Sequence, residues 1–167
     1  DYRSPELFLQ SAMELAEEGL PLRIHFLGTS TSRSLESFMK KYPQNILHHQ
    51  AVSLEKAVAT MEKADILLNI SNTLDNQVPS KIFDYFSLGK PVLNVQKISD
   101  CPSREYFDRY PLSFTLTDRT PDVQGMKEFL LSAKGRCVSY DTVSELFYDA
   151  TLEYAADKCE KILTDIL

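Results

Sequence analysis

Five apolar runs of strand length alternate with segments whose apolar residues recur at helical spacing. The runs are "LRIHFLG" (22–28), "NILHH" (45–49), "DILLNI" (65–70), "PVLNV" (91–95) and "SFTLT" (113–117). Strands separated by single helices form βαβ units, and such units build a parallel sheet with helices on both faces. The first helix is expected to start at Ser4-Pro5 and stop at Gly19, with Leu7, Phe8, Ala12, Leu15 and Ala16 on its inner face. Leu35, Phe38, Met39 and Tyr42 mark a second helix. Ala57, Val58 and Met61 mark a third, capped by Ser53. A fourth is predicted from about Pro79 to Leu88, with Gly89 as its stop. Shorter helices are predicted at 103–109 and 122–132. The tail from Thr142 to Leu167 reads as one long helix or two joined, with Thr142 and Glu145 as a capping box.

The 167 residues fit a single domain. In a doubly wound sheet the first strand lies mid-sheet and precedes the first helix. Here only Asp1, Tyr2 and Arg3 stand ahead of that helix. The expectation is a strand ahead of residue 1, in a chain that is one part of something larger; the alternative is a sheet built differently. A formal net charge of -6 argues against the phosphate backbone of nucleic acid as main partner, while leaving room for a small anion at a local basic site. Cys101, Cys137 and Cys159 are scattered and form no C-x-x-C, so neither a zinc site nor a disulfide framework is indicated. No apolar run approaches the roughly 20 residues that cross a bilayer, and no signal peptide opens the chain. A cytoplasmic location is expected, with membrane contact at most peripheral, at the inner face.

The stretch "NQVPSKIFDYFSLGKPVLNV" (76–95) carries chemistry that a core helix does not need. In open α/β sheets ligands bind beyond the carboxyl ends of the strands. The loop 71–78 leaves such an end and leads into the helix at Pro79. The first turn of a helix offers unpaired N–H groups and partial positive charge, a combination suited to phosphate. Ser80 adds a hydroxyl and Lys81 a full charge. Asp84 follows Ser80 by four residues and lies on the same face, roughly 5–6 Å along. That is about the step from a nucleotide phosphate to its ribose, and a carboxylate can accept from both ribose hydroxyls. The competing reading is local: an acid early in a helix favours the dipole, and proline at the first position is common.

"VPSKIFDYFSLGKPVL" resembles the donor-binding signature of GT-B glycosyltransferases, in particular the large retaining family of sucrose and mannosyl transferases. "LRIHFLGTS" resembles that family's second strand with its glycine turn. "NILHHQAVSLEKAVATMEKADILLNIS" resembles its base-side strand, helix and following strand. The likeness covers most of residues 3–95 and, more weakly, the tail. It implies a Rossmann-like doubly wound parallel sheet with a long C-terminal helix, forming the C-terminal, donor-binding half of a GT-B enzyme of polysaccharide biosynthesis. The acceptor, a glycan or a lipid-linked one, would bind the N-terminal half, and the donor would be a nucleoside-diphosphate sugar, with no metal or other cofactor.

The resemblance implies that Asp84 holds the ribose and that Ser80 and Lys81 lie near the diphosphate. Arg3 falls near a basic residue that the family uses on the diphosphate, though a solvated terminal arginine reads equally well. Gly28 and Thr29 would approach the nucleotide, the alternative being a plain turn. His48, His49 and Gln50 fall near the base edge. Adjacent residues on a strand point to opposite faces, so at most one histidine, taken as His49, meets the ligand. Where the family often has a second acid the chain has Asn76, followed by Gln77, which brings hydrogen bonds without charge and leaves retention or inversion open. No Gly-x-Gly-x-x-Gly or Walker loop occurs. A GT-B nucleotide-sugar epimerase is a weaker alternative because the loop 71–78 lacks His and Glu. A non-enzymatic α/β binding or partner domain is the other. The aromatic residues of 106–110 and 147–154 read as core or an inter-domain face, with Phe147, Tyr148 and Tyr154 as an exposed set.

Overall fold

A computed structural model of the chain describes residues 4–29, 31–117 and 119–166. The elements run α1 (Glu6–Glu17), β1 (Ile24–Leu27), α2 (Arg33–Lys41), β2 (Ile46–His49), α3 (Leu54–Lys63), β3 (Leu67–Ile70) and α4 (Lys81–Ser87). Then follow β4 (Val92–Gln96), α5 (Arg104–Arg109), β5 (Ser113–Thr117), α6 (Val123–Ala133), α7 (Tyr140–Leu146), a 3-10 turn (Tyr148–Ala150) and α8 (Leu152–Ile166). Every strand falls on one of the five apolar runs, and only β4 extends past its run, by Gln96.

All pairings are parallel. β1 pairs with β2, Ile24 opposite Ile46, and β4 lies between β3 and β5. Among the described residues the strands make two sheets, β1-β2 and β3-β4-β5, and not the single continuous sheet expected. The two are nevertheless parts of one α/β, Rossmann-like layer. Each residue of β4 is buried, and its side chains alternate between two apolar clusters. Leu93 and Val95 join a cluster that contains Leu68 and Ile70 of β3, Ile24 and Phe26 of β1, Ile46 of β2 and the buried stripe Leu9, Ala12 and Met13 of α1. Leu35 of α2 and Met126 of α6 close the same face. Val92 joins the other cluster, with Leu67 of β3, Ile82 and Phe86 of α4, Phe107 of α5 and Val143 of α7. Helices thus cover both faces, as the alternating pattern predicts.

Polar side chains cross the buried layer in register. Asn69, Asn94 and Thr115 are direct neighbours on β3, β4 and β5. Asn69 Nδ2 donates to Asn94 Oδ1 at 2.8 Å, and Asn94 Nδ2 donates to Thr115 Oγ1 at 3.3 Å. Sliding either outer strand by one residue would turn these groups onto the opposite apolar face, so the row fixes the register.

The second cluster is largely aromatic. The fully buried ring of Phe86 stacks on Tyr110 (centroids 4.4 Å apart) and on Phe147 (4.8 Å), and meets Phe107 edge-on. Burial of one such ring stabilises by about 2–3 kcal/mol, and offset or edge-on pairs add to it. Phe147 is therefore core and not part of an exposed face, because α7 folds back onto α4 and α5. Tyr148 remains exposed, packs edge-on against Tyr154 and donates to Asp157 Oδ2. Arg109 ties the turn after α7 to α5, bonding Asp149 through both guanidinium nitrogens and the Leu146 carbonyl.

Ser32, Ser53 and Ser139 cap their helices by accepting from Leu35, Lys56 and Thr142 N–H. The third of these corrects the expected box at Thr142: the helix starts earlier, and Thr142 donates to the cap. The tail is two helices broken at the 3-10 turn. The described side chains of α8 include Leu152, Ile162 and Leu163, all exposed.

Two measurements test this core. Asn94→Ala strands the amide of Asn69 and the hydroxyl of Thr115, and urea unfolding is expected to show a loss of about 1–3 kcal/mol. Tyr110 is 2% exposed and donates to the Lys90 carbonyl at 2.8 Å, and burial pushes its phenol pKa well above the ordinary value of 10.0. A raised folded pKa makes its contribution complete below about pH 10, and the contribution is lost as pH climbs beyond that. The difference in urea midpoint between the native chain and Tyr110→Phe is therefore expected to shrink above about pH 10.

Candidate functional site

β3 delivers the chain to the carboxyl edge of the layer at Ser71. Ser71 is buried; its N–H donates to the Val95 carbonyl at 3.0 Å and its Oγ accepts from Lys97 N–H at 3.0 Å. Both bonds tie the start of the loop to β4. Asn72, also buried, then organises the loop from inside. Its Nδ2 donates to Gln77 Oε1 at 3.0 Å, and its Oδ1 accepts from Leu74 N–H at 3.1 Å, an Asx turn. Neither Ser71 nor Asn72 was singled out from sequence; a pair of small polar residues directly after an apolar run is the signal that would have found them. The Gln77 carbonyl oxygen is used in holding this loop. Asn76 is exposed, with no side-chain partner among the described residues.

α4 starts at Lys81, two residues later than expected. Pro79 and Ser80 form a tight turn ahead of it, in which the Pro79 carbonyl accepts from Ile82 N–H at 3.2 Å and the Ser80 carbonyl from Phe83 N–H at 3.0 Å. Ser80 has helical dihedrals and its hydroxyl makes no cap bond. Two of the donors expected at the helix mouth are thus satisfied internally. Among the described residues the N–H groups of Ser80 and Lys81 stay available there, together with the Ser80 hydroxyl and the Lys81 ammonium.

The helix is amphipathic over its seven residues. Ile82, Tyr85 and Phe86 are buried, while Lys81, Asp84 and Ser87 are exposed and follow one another at three-residue spacing. The Asp84 carboxylate points to solvent and has no partner among the described residues. Lys81 Nζ lies 5.3 Å from the centroid of the Tyr85 ring, a cation–π contact that holds it near the helix start. The helix is held at its other end by Gly89, whose φ is +66°. A Cβ there would stand 2.2 Å from the Val138 carbonyl oxygen, and the Gly89 carbonyl accepts from Val138 N–H at 2.9 Å.

The remaining expected residues sit at the ends of β1 and β2. Gly28 N–H donates to the His49 carbonyl at 3.0 Å. A Cβ at Gly28 would meet nothing within 4 Å, so packing against this chain does not demand glycine there. Thr29 is exposed. The rings of His49 and His25 lie parallel, 5.2 Å apart, with His25 Nδ1 2.9 Å from His49 Nε2. His48 faces the opposite way and its Nε2 is buried without a hydrogen-bond partner among the described residues. The His25–His49 pair was not foreseen, because residues 24 apart meet only through strand pairing. No hydrogen bond or ion pair among the described residues joins this group to the one around α4. Arg3 lies outside the described residues.

Two cavities open elsewhere. One, of about 390 Å³, lies between α1 and α2 and includes Met13, Phe38 and Tyr42. The other, of about 200 Å³, sits past the carboxyl ends of β4 and β5, where Gln96, Ser99 and Thr117 meet Lys97, Arg104 and Arg119. Arg104 also bridges to Asp108 at 3.5 Å. The second cavity brings three cationic side chains together that sequence reading did not assemble. Among the described residues no group of three or more His, Cys, Asp and Glu side chains is arranged to hold a metal ion, and no helix is long and apolar enough to cross a membrane.

The placement of α4 depends on Gly89. Gly89→Ala forces both a left-handed alanine and a clash with backbone, and is expected to lower stability by about 2 kcal/mol or more. Thermal unfolding checks this, against Gly19→Ala, where φ is +99° but nothing lies within 4 Å and only the conformational part of the loss is expected.

No family model, no curated protein and no solved structure matches the chain.

Proposed function

We propose that the chain is the donor-binding part of a glycosyltransferase, which moves a sugar from a nucleoside-diphosphate sugar to an acceptor such as a growing glycan held by a separate acceptor-binding domain. The observation that carries the reading is Asp84: an exposed carboxylate with no side-chain partner among the described residues, on the polar stripe of a short helix at the carboxyl edge of a parallel α/β layer. Because α4 starts at Lys81, Asp84 lies in its first turn and favours the helix dipole as well; what supports the ribose role is its outward position on the face that carries Lys81.

In this reading Asp84 accepts from the ribose hydroxyls. The Ser80 and Lys81 N–H groups, the Ser80 hydroxyl and the Lys81 ammonium face the diphosphate. Breaking the bond between sugar and phosphate leaves extra negative charge on the departing diphosphate. Donors already aimed at that position stabilise the charge without reorganising, which lowers the barrier. Arg3 is assigned to the same role by resemblance alone. Thr29 and Gly28 would border the nucleotide, and the His25–His49 stack offers a flat surface toward the base. Asn76, with no side-chain partner among the described residues, is available to sugar hydroxyls; Gln77 contributes through its amide nitrogen, its oxygen being engaged by Asn72. The proposed location is cytoplasmic, with contact at the inner face of the membrane where the acceptor is lipid-linked.

Calorimetric titration of the folded chain with UDP, GDP and ADP tests this. One of the three is expected to bind, and Asp84→Ala is expected to weaken that binding by about tenfold or more, the loss of a charge-assisted hydrogen bond, while lowering stability by no more than the roughly 0.3–1 kcal/mol of an acid in a first helical turn. Unaltered affinity in the variant would remove the ribose role. Absence of heat with all three nucleotides would sink the reading.

A further inference from the structure

We infer that a β-strand, parallel to its neighbours and supplied by the polypeptide ahead of residue 1, inserts between β1 and β3 and joins the two sheets into one. The inference is independent of any nucleotide. It rests on which backbone groups are used. In a parallel pair, a residue directs both its N–H and its C=O to the same neighbouring strand, and its successor directs both the other way. Leu67 and Ser71 N–H donate to the Pro91 and Val95 carbonyls, so Leu67, Asn69 and Ser71 face β4. Leu68 and Ile70 consequently turn their N–H and C=O groups away, toward an edge that has no strand among the described residues. On β1, Ile24 and Gly28 N–H donate to the Asn45 and His49 carbonyls. His25 and Leu27 therefore face an equally empty edge.

Edges of this kind are ordinarily solvated. These are not ordinary, because Leu68 and Ile70 belong to the same apolar cluster as Ile24 and Phe26 of the other sheet. The helix that spans the two is α1, with Leu9, Ala12 and Met13 each at most 1% exposed. Two half-sheets roofed by one buried helix, each with an unpaired edge along which Ile24, Phe26, Leu68 and Ile70 are only partly buried, present the edges that one more strand would pair and cover. The opposite face shows the same incompleteness. α3 has no buried residue, and Leu27 is 39% exposed.

The occupant follows from connectivity. A strand in this position would be followed by α1 and then by β1, its neighbour on one side, which is the β-α-β connection that parallel strands use. The order becomes β2-β1-inserted-β3-β4-β5. The strand must be apolar on both faces, as buried parallel strands are, and about four or five residues long to match β1 and β3. Insertion has a consequence for the site. The inserted strand leads to α1 on one face and β3 leads to α4 on the other, so a crevice opens between their carboxyl ends, directly beside the loop that starts at Ser71.

Amide hydrogen exchange, read by NMR on this 167-residue chain and on the chain as its gene encodes it, tests the inference. In the shorter chain, Leu68 and Ile70 amides are expected to exchange at least about 100-fold faster than Asn69, which β4 protects. In the encoded chain they are expected to slow to the rate of Asn69, with cross-strand contacts from Leu68 and Ile70 to residues ahead of Asp1. Protection of Leu68 and Ile70 already present in the monomeric shorter chain would overturn the inference, since β1 and β3 would then pair directly. Protection that appears only as the chain dimerises would assign the gap to a second copy. Fast exchange in the encoded chain, or a gene with no residues ahead of Asp1, would overturn it as well.

Discussion

The burial of β4 on both faces is the constraint on which the rest of the molecule depends. A strand with no exposed residue must be paired along both edges and covered above and below. β3 and β5 satisfy its edges. The α1–α2–α6 set covers one face, and α4, α5 and α7 cover the other. The Asn69–Asn94–Thr115 row then removes the freedom to slide that a wholly apolar layer would retain. A polar row inside an apolar layer costs desolvation, which its in-register hydrogen bonds offset only when all three strands are aligned.

The position of α4 is a consequence of that arrangement. Its inner face is locked by the Phe86 aromatic stack and its end by the glycine turn against Val138. Since the inner residues are fixed, the helical period forces Lys81, Asp84 and Ser87 outward at the carboxyl edge. Asp84 there meets no side-chain partner among the described residues, Lys81 rests over the Tyr85 ring, and the packing behind them keeps their spacing constant. An open but preorganised surface is what recognition of a charged, hydroxyl-rich ligand requires.

Much of the fold was legible in the amino-acid order. The five apolar runs located the strands because strand burial is a local property of side-chain type. Gly89 was readable as a stop, and Ser53 as a cap, for equally local reasons. The start of α4 was misplaced by two residues because Pro79 and Ser80 satisfy early N–H groups through a tight turn, which composition does not distinguish from a helix start. The cap at Ser139 was misplaced because both Ser139 and Thr142 carry the required hydroxyl. Phe147 reads alike as core or surface until α7 is seen to fold back on α5.

The sequence by itself determined the alternation of strands and helices, the polar stripe Lys81–Asp84–Ser87 and the charge balance, all of which depend on residues close along the chain. Only the tertiary structure decided that Asn72 grips Gln77, that His25 lies against His49, that Asn94 joins two strands, and that the layer is divided between β1 and β3. The last three of these depend on which strand lies beside which. That choice is made by the packing of distant apolar faces, and a linear pattern does not encode it.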